Sequence, residues 1–168
     1  MGIRQIVFEG DEILRKKAKK VEEVDYKIKQ LIEDMWETMY KFDGIGLAAP
    51  QVGILKRVIV YDVGEGKHAL VNPEIISATG EQWCEEGCLS LPNIFGDVRR
   101  PAKVVVRGIN EDGEYITIKA KELLAVCLSH EIDHLDGILF TDTAENVHEG
   151  TIEENVQSDK NKKNSKKK

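Results

Sequence analysis

Residues 121–137, KELLAVCLSHEIDHLDG, constrain the fold of this chain more than any other stretch. On a helical wheel with Leu123 at the origin, Cys127, His130 and His134 fall within about 60° of one another at 100° per residue. Leu124, Leu128 and Leu135 form a second stripe beside Glu131, and Val126 occupies a third side. A helix that is apolar nearly all round is buried, so the rest of the chain must wrap it. Gly137 is well placed to end it. Two imidazoles and a carboxylate in such a helix need partners, because an unpaired buried polar group costs roughly 2 to 7 kcal/mol.

The polar residues are spaced for chemistry. His130 and His134 stand four apart, so both rings reach one metal ion from the same helix face. Glu131 projects about 100° away, close enough to handle water beside that metal without ligating it. This is the HExxH pattern of zinc-binding hydrolytic helices. Catalytic sites of this kind take three protein ligands and keep one position open. No histidine stands six residues beyond His134, where Phe140 is found; Glu145, Glu149 and Glu153 lie in a strongly polar region. The better third ligand lies upstream in Glu85-Glu86-Gly87-Cys88-Leu89-Ser90, because a thiolate binds zinc and ferrous iron strongly.

Periodicity supplies the remaining elements. Ile28, Leu31, Ile32, Met35 and Met39 form one apolar stripe of a helix over 27–42 capped by Asp25. Arg57 to Val63, His68 to Val71 and Glu74 to Trp83 read as strands, and Lys103 to Ile109 with Glu114 to Ala120 as a hairpin about Glu111-Asp112-Gly113. Strands gathered ahead of a long buried helix predict an α+β domain, with antiparallel strands packed around the helix that carries HExxH. The domain is expected over 1–148, followed by a polar, lysine-rich, disordered tail over 149–168.

Charge and leader signals narrow the setting. Residues 160–168 hold six lysines and no acid, so a formal charge of −6 leaves −12 on residues 1–159. An acidic body argues against specific nucleic-acid binding. The tail reads as a solubilising appendage or, more sharply, as a weak electrostatic tether to an RNA-rich partner such as the ribosome. The first twenty residues contain no apolar run of signal-peptide type, and no segment is long enough to span a membrane, so a cytoplasmic setting is expected. Cys84, Cys88 and Cys127 then read as thiols.

Three segments, GIGLAAPQ (44–51), EGCLS (86–90) and HEIDHLDG (130–137), resemble in order and approximate spacing the three signatures of the peptide deformylase family. The similarity extends over nearly everything up to about Asp142. Ser129 stands where many members have glutamine, and Cys84 is outside the family pattern. The resemblance implies hydrolysis of the N-formyl group from the initiator N-formylmethionine of nascent polypeptides, with release of formate. It implies Cys88, His130 and His134 as ligands of one divalent metal ion, Fe2+ in the cell with Zn2+, Ni2+ or Co2+ also accepted. It further implies Glu131 as general acid and base, with the Gln51 amide and the Leu89 backbone N–H stabilising the oxyanion. Position in the motifs makes Ile45, Gly46, Glu86, Gly87, Leu91, Leu123, Val126 and Cys127 candidates for substrate binding, with Phe95 beside them. Two rival readings stay open: an HExxH metalloprotease cleaving internal peptide bonds, and a closed structural zinc site of Cys84, Cys88, His130 and His134.

Overall fold

A computed structural model describes residues 2–150, and the tail over 151–168 falls outside the described residues. The first helix, α1 (Tyr26–Lys41), begins where the Asp25 carboxylate accepts the Ile28 N–H at 3.0 Å. Its buried face is the predicted stripe of Ile28, Leu31, Ile32, Met35 and Met39, joined by Trp36, whose Nε1 donates to the His68 carbonyl at 2.9 Å.

Five strands form one antiparallel sheet: β1 (Gly46–Ala48), β2 (Val58–Tyr61), β3 (His68–Thr79), β6 (Lys103–Ile109) and β7 (Tyr115–Lys121), which lie in that spatial order. The second helix, α2 (Glu122–Leu135), packs on one face of this sheet and α1 on the other. Hence β2, Val58-Ile59-Val60-Tyr61, is an unbroken apolar run. Val58 and Val60 join the core beneath α1, while Ile59 and Tyr61 join the core beneath α2. Leu128 and Leu135 of α2 are fully buried in that second core. The helix ends at Asp136, and Gly137 follows at φ 74° with the space for its Cβ already taken by the Arg15 carbonyl, 2.5 Å away.

A second sheet of three strands, in the order β4-β5-β8, comprises β4 (Gln82–Cys88), β5 (Leu91–Arg100) and β8 (Glu145–Glu149). It departs from expectation in two ways. The strands expected over His68 to Val71 and Glu74 to Trp83 are instead one strand, β3, which bulges between Val71 and Glu74. Asn72 sits at φ 52° in that bulge and holds Val21 through both its amide atoms, so Asn-Pro interrupts the ladder without ending it. The chain then turns at Gly80 and enters the other sheet at Gln82. Second, the segment after Cys88, where no strand is predicted, is the central strand β5, and Glu149 pairs with Ile94 on its flank. Among the described residues no helix is long and apolar enough to cross a membrane.

Candidate metal centre and its cavity

The α+β frame brings three sequence segments to one point. One turn of α2 sets the Nε2 atoms of His130 and His134 3.2 Å apart. The end of β4 delivers Cys88 Sγ to 3.3 Å from His134 Nε2, helped by a register shift between Gly87 and Cys88 that re-aims the cysteine. The three donor atoms lie within 4.8 Å of one another, and among the described residues this is the one group gathered in that way. Cys84, which the closed four-ligand reading required, is not in it; its Sγ contacts the Glu85 carbonyl at 3.5 Å. Glu145 and Glu149 lie exposed on β8 and do not join it either.

The donors fit a cation. Ionised Glu86 accepts the Nδ1 proton of His130 through Oε1 at 2.7 Å, which leaves the Nε2 lone pair aimed at the triad. Two imidazole lone pairs and a sulfur facing one another at 3.2 and 3.3 Å repel unless a positive charge lies between them. Ligands about 2.0–2.3 Å from a tetrahedral metal stand roughly 3.3–3.5 Å from each other, close to what is seen. Electrostatics agree. Burial alone would lower the His130 pKa, but Glu131, Cys88 and Glu86 outweigh it and raise it well above the ordinary value. His134 is lowered by burial, reinforced by His130. The surroundings that hold a proton on His130 are those that hold a metal cation.

Beside the triad, Glu131 and Gln51 face a cavity of about 620 Å³. Glu131 is buried, with Oε1 free of any hydrogen-bond partner among the described residues, and burial pushes its carboxyl up to about 7. A divalent cation alongside draws that value down again. Gln51 sits in a short 3-10 turn (Ala49–Val52) and accepts the Ala48 N–H on Oε1 at 2.9 Å. That bond fixes which way the amide faces: Nε2 points to Ser90 Oγ at 3.1 Å and Cys88 Sγ at 3.4 Å. Leu89, in the turn after β4, lines the same cavity. So do all the other expected lining residues: Ile45, Gly46, Glu86, Gly87, Leu91, Phe95, Leu123, Val126 and Cys127.

The polypeptide deformylase family model matches residues 3–149. The chain belongs to this family. A peptide deformylase of Acetivibrio thermocellus is 62% identical over 84% of this chain and 84% of its own length. One from Alkaliphilus metalliredigens is 60% identical over 84% of this chain and 97% of its own. Among solved structures, a peptide deformylase of Synechococcus elongatus in complex with actinonin superposes with a TM-score of 0.82 at 46% identity, covering 85% of this chain and 79% of that one. The Thermotoga maritima enzyme gives 0.84 at 44% identity, covering 86% and 99%. Membership makes the chain a metal-dependent hydrolase, and the Cys88–His130–His134 group is its candidate metal-binding triad.

Behind this deformylase centre lies a charged relay that the motifs only partly disclosed. Glu86 lines the cavity through β4 but turns its carboxylate away from it. Arg100 grips that carboxylate from Nε at 2.7 Å and from its second guanidinium nitrogen at 2.8 Å, while its third nitrogen reaches Asp133 at 2.7 Å. Glu86, Arg100 and His130 are all buried. The pair is therefore a desolvated fork and not a solvated surface bridge, and it orients His130. Ser90, the last residue of the EGCLS signature, was given no role of its own although it holds the Gln51 amide, and Phe8 and Phe42 at the cavity rim were not anticipated. Glu86→Gln should weaken metal binding about 10- to 100-fold and lower the thermal midpoint, because it leaves Arg100 short of its buried counter-charge. Metal titration and thermal unfolding check this, and unchanged values would refute the orienting role.

Gly46 is the tightest position in the site. A Cβ there would collide with the Glu131 carboxylate, 2.9 Å from Cδ, and lie 3.0 Å from Cys127 Sγ. Gly46→Ala should fold and bind metal yet lose about 10²-fold in turnover, since a displacement of about 1 Å at a reacting group has that effect. Steady-state kinetics beside a metal analysis tests it.

Proposed function

We propose that this chain hydrolyses the N-formyl group of N-formylmethionyl nascent polypeptides and releases formate. What supports the reading is one arrangement: a cysteine sulfur and two imidazoles gathered together, with Cys88 and His130 lining an apolar cavity that one carboxylate, Glu131, and one uncharged amide donor, Gln51, also line. Cys88, His130 and His134 would hold a divalent ion, which when bound supplies Lewis acidity and makes water a nucleophile near neutral pH. Glu131 takes the proton from the attacking water and returns it to the departing amine. Gln51 Nε2 and the Leu89 backbone N–H donate to the formyl oxygen as charge develops there; loss of one such donor typically lowers the rate about 10²- to 10³-fold. Leu91, Val126 and Cys127 are buried and pack about the methionine side chain, with Ile45 and Leu123 half-exposed at its outer side.

The ion we propose is Fe2+ in the cell, with Zn2+, Ni2+ or Co2+ accepted, since a mixed thiolate and imidazole set suits all four. A ferrous thiolate site would be oxygen-sensitive. We place the protein in the cytoplasm, where its substrate is made, and assign the lysines of residues 160–168 a weak electrostatic contact with the ribosome. Unchanged ribosome co-sedimentation at low salt after deletion of residues 159–168 would rule out that contact. The function itself is tested by formate release from a short N-formylmethionyl peptide, using protein purified without oxygen. Release abolished by a chelator and absent for the N-acetyl peptide is expected; no release with one metal per chain would overturn the reading.

A further inference from the structure

We propose that a second cavity, separated from the metal centre by α2, binds a small aromatic ammonium compound. Its volume is about 280 Å³, and it shares no lining residue with the metal cavity. The helix α2 turns Val126 and Cys127 into the metal cavity and Leu124 into this one. Likewise Gly46 lines the first cavity, and Tyr61, its cross-strand partner in β2, lines the second. The size falls just under the roughly 300 to 1,000 Å³ of drug-sized sites, so one ring with a short arm fills it.

The walls suit a ring. Tyr61 and His68 stand stacked with centroids 5.3 Å apart, and Val63, Ile116, Ile118 and Leu124 supply aliphatic surface. Tyr61 is 4% exposed, yet its hydroxyl has no hydrogen-bond partner among the described residues. A buried tyrosine hydroxyl ordinarily has one. Burial, then Cys127 and Glu111, push its pKa well above the ordinary value, so it remains a proton donor.

The charge at the opening is of one sign. Asp62 Oδ1 accepts the Gly64 and Gly66 N–H groups at 2.9 and 3.2 Å, and Asn110 Oδ1 accepts those of Asp112 and Glu114 at 3.0 and 2.9 Å. These two braced turns carry Glu65 and Glu111 into the lining, and neither carboxylate has an ion-pair partner among the described residues. No lysine or arginine lines the cavity; Lys67 places its Nζ over the Trp36 ring instead, 4.7 Å from the centroid. A plain hydrocarbon would leave the phenol and both acids unused, and a carboxylate would meet like charge. A ring with an oxygen acceptor and an ammonium on a short arm meets all three.

The test is calorimetric titration of the metal-loaded full chain with tyramine at about pH 8, where imidazoles in water carry little charge and an alkyl ammonium keeps its proton. One site with a dissociation constant on the order of 10⁻⁴ to 10⁻³ M is expected for so small a ligand. Phenethylamine, which lacks the ring oxygen, should bind about 3- to 10-fold more weakly. Tyr61→Phe should weaken tyramine by a similar factor without weakening phenethylamine further. This variant removes no hydrogen bond inside the protein, so it should fold like the parent chain. The Glu65→Gln, Glu111→Gln double variant, or about 0.5 M salt, should weaken both amines. The carboxylate counterpart, p-hydroxyphenylpropionate, should not bind. Backbone amide resonances that move with tyramine should map to residues 61–69 and 110–118. Absence of saturable binding, equal binding of the propionate, or resonance changes confined to 42–46 and 84–95 around the metal cavity would overturn the proposal.

Discussion

Replacing Glu131 by glutamine should lower deformylation about 10²- to 10⁴-fold while leaving the metal in place. Glutamine keeps the shape of the side chain, so the tight contact with Gly46 and the packing against Cys127 are retained. It removes the one group beside the triad that can accept a proton from water and give it back. The metal stays because Glu131 is outside the gathered donor set of Cys88, His130 and His134. The fold stays because Glu131 Oε1 is buried with no hydrogen-bond partner among the described residues, so no bond at that atom is lost. A neutral amide also removes a carboxylate from a desolvated site, which should leave the thermal midpoint unchanged or slightly higher. Formate release, metal content and thermal unfolding on one preparation decide the matter. Near-normal turnover would end the general-base assignment, and joint loss of metal and activity would place Glu131 among the ligands instead.

What could be read from the sequence depended on whether the signal was local. The helix α1 was legible to within one residue at each end because its stripe and its Asp25 cap agree. The β6–β7 hairpin was legible because alternation on both strands frames a turn closed by Asn110, which accepts the Gly113 N–H at 3.0 Å and donates to the Glu114 carbonyl at 2.8 Å. The strand β5 was not legible, since Pro92, Asn93 and Gly96 all read as breakers. In the fold Pro92 sits at the strand start and Asn93 takes φ 65°. Gly96 makes room for Ala144, whose Cβ lies 3.0 Å from where its own would be. The strand β8 was missed because all five of its residues are exposed and show no alternation. His130, His134 and Glu131 stood out as candidates because metal ligation and proton transfer demand particular residue types at particular spacings, and Cys88 because a thiolate is a strong ligand, whereas Gln51 came only from the family resemblance. The Asp133–Arg100–Glu86 relay joins positions 33 and 14 apart, and such long-range pairing leaves no periodic trace.

Cys88→Ser should weaken metal binding on the order of 100-fold or more, beyond what loss of a supporting contact does to such sites. Serine is smaller by little and sits where Cys88 is only partly buried, so folding should survive. Its hydroxyl, however, stays protonated near neutral pH and offers a hard, neutral oxygen where the site presents a polarisable thiolate. Gln51 Nε2, now 3.4 Å from the sulfur, would still hold Ser90, so the oxyanion side of the cavity is kept while the metal side fails. Metal analysis after gel filtration checks this directly; unchanged content would remove Cys88 from the ligand set. The companion substitution Cys84→Ser gives the contrast, because Cys84 lies outside the donor group and should leave the metal fully bound. If both variants lost metal, the site would be the closed four-ligand cage and the open coordination position that hydrolysis needs would be gone. Loss in Cys88→Ser alone means three protein ligands, and a three-ligand centre at the floor of a cavity has a free face on which a formyl group can react.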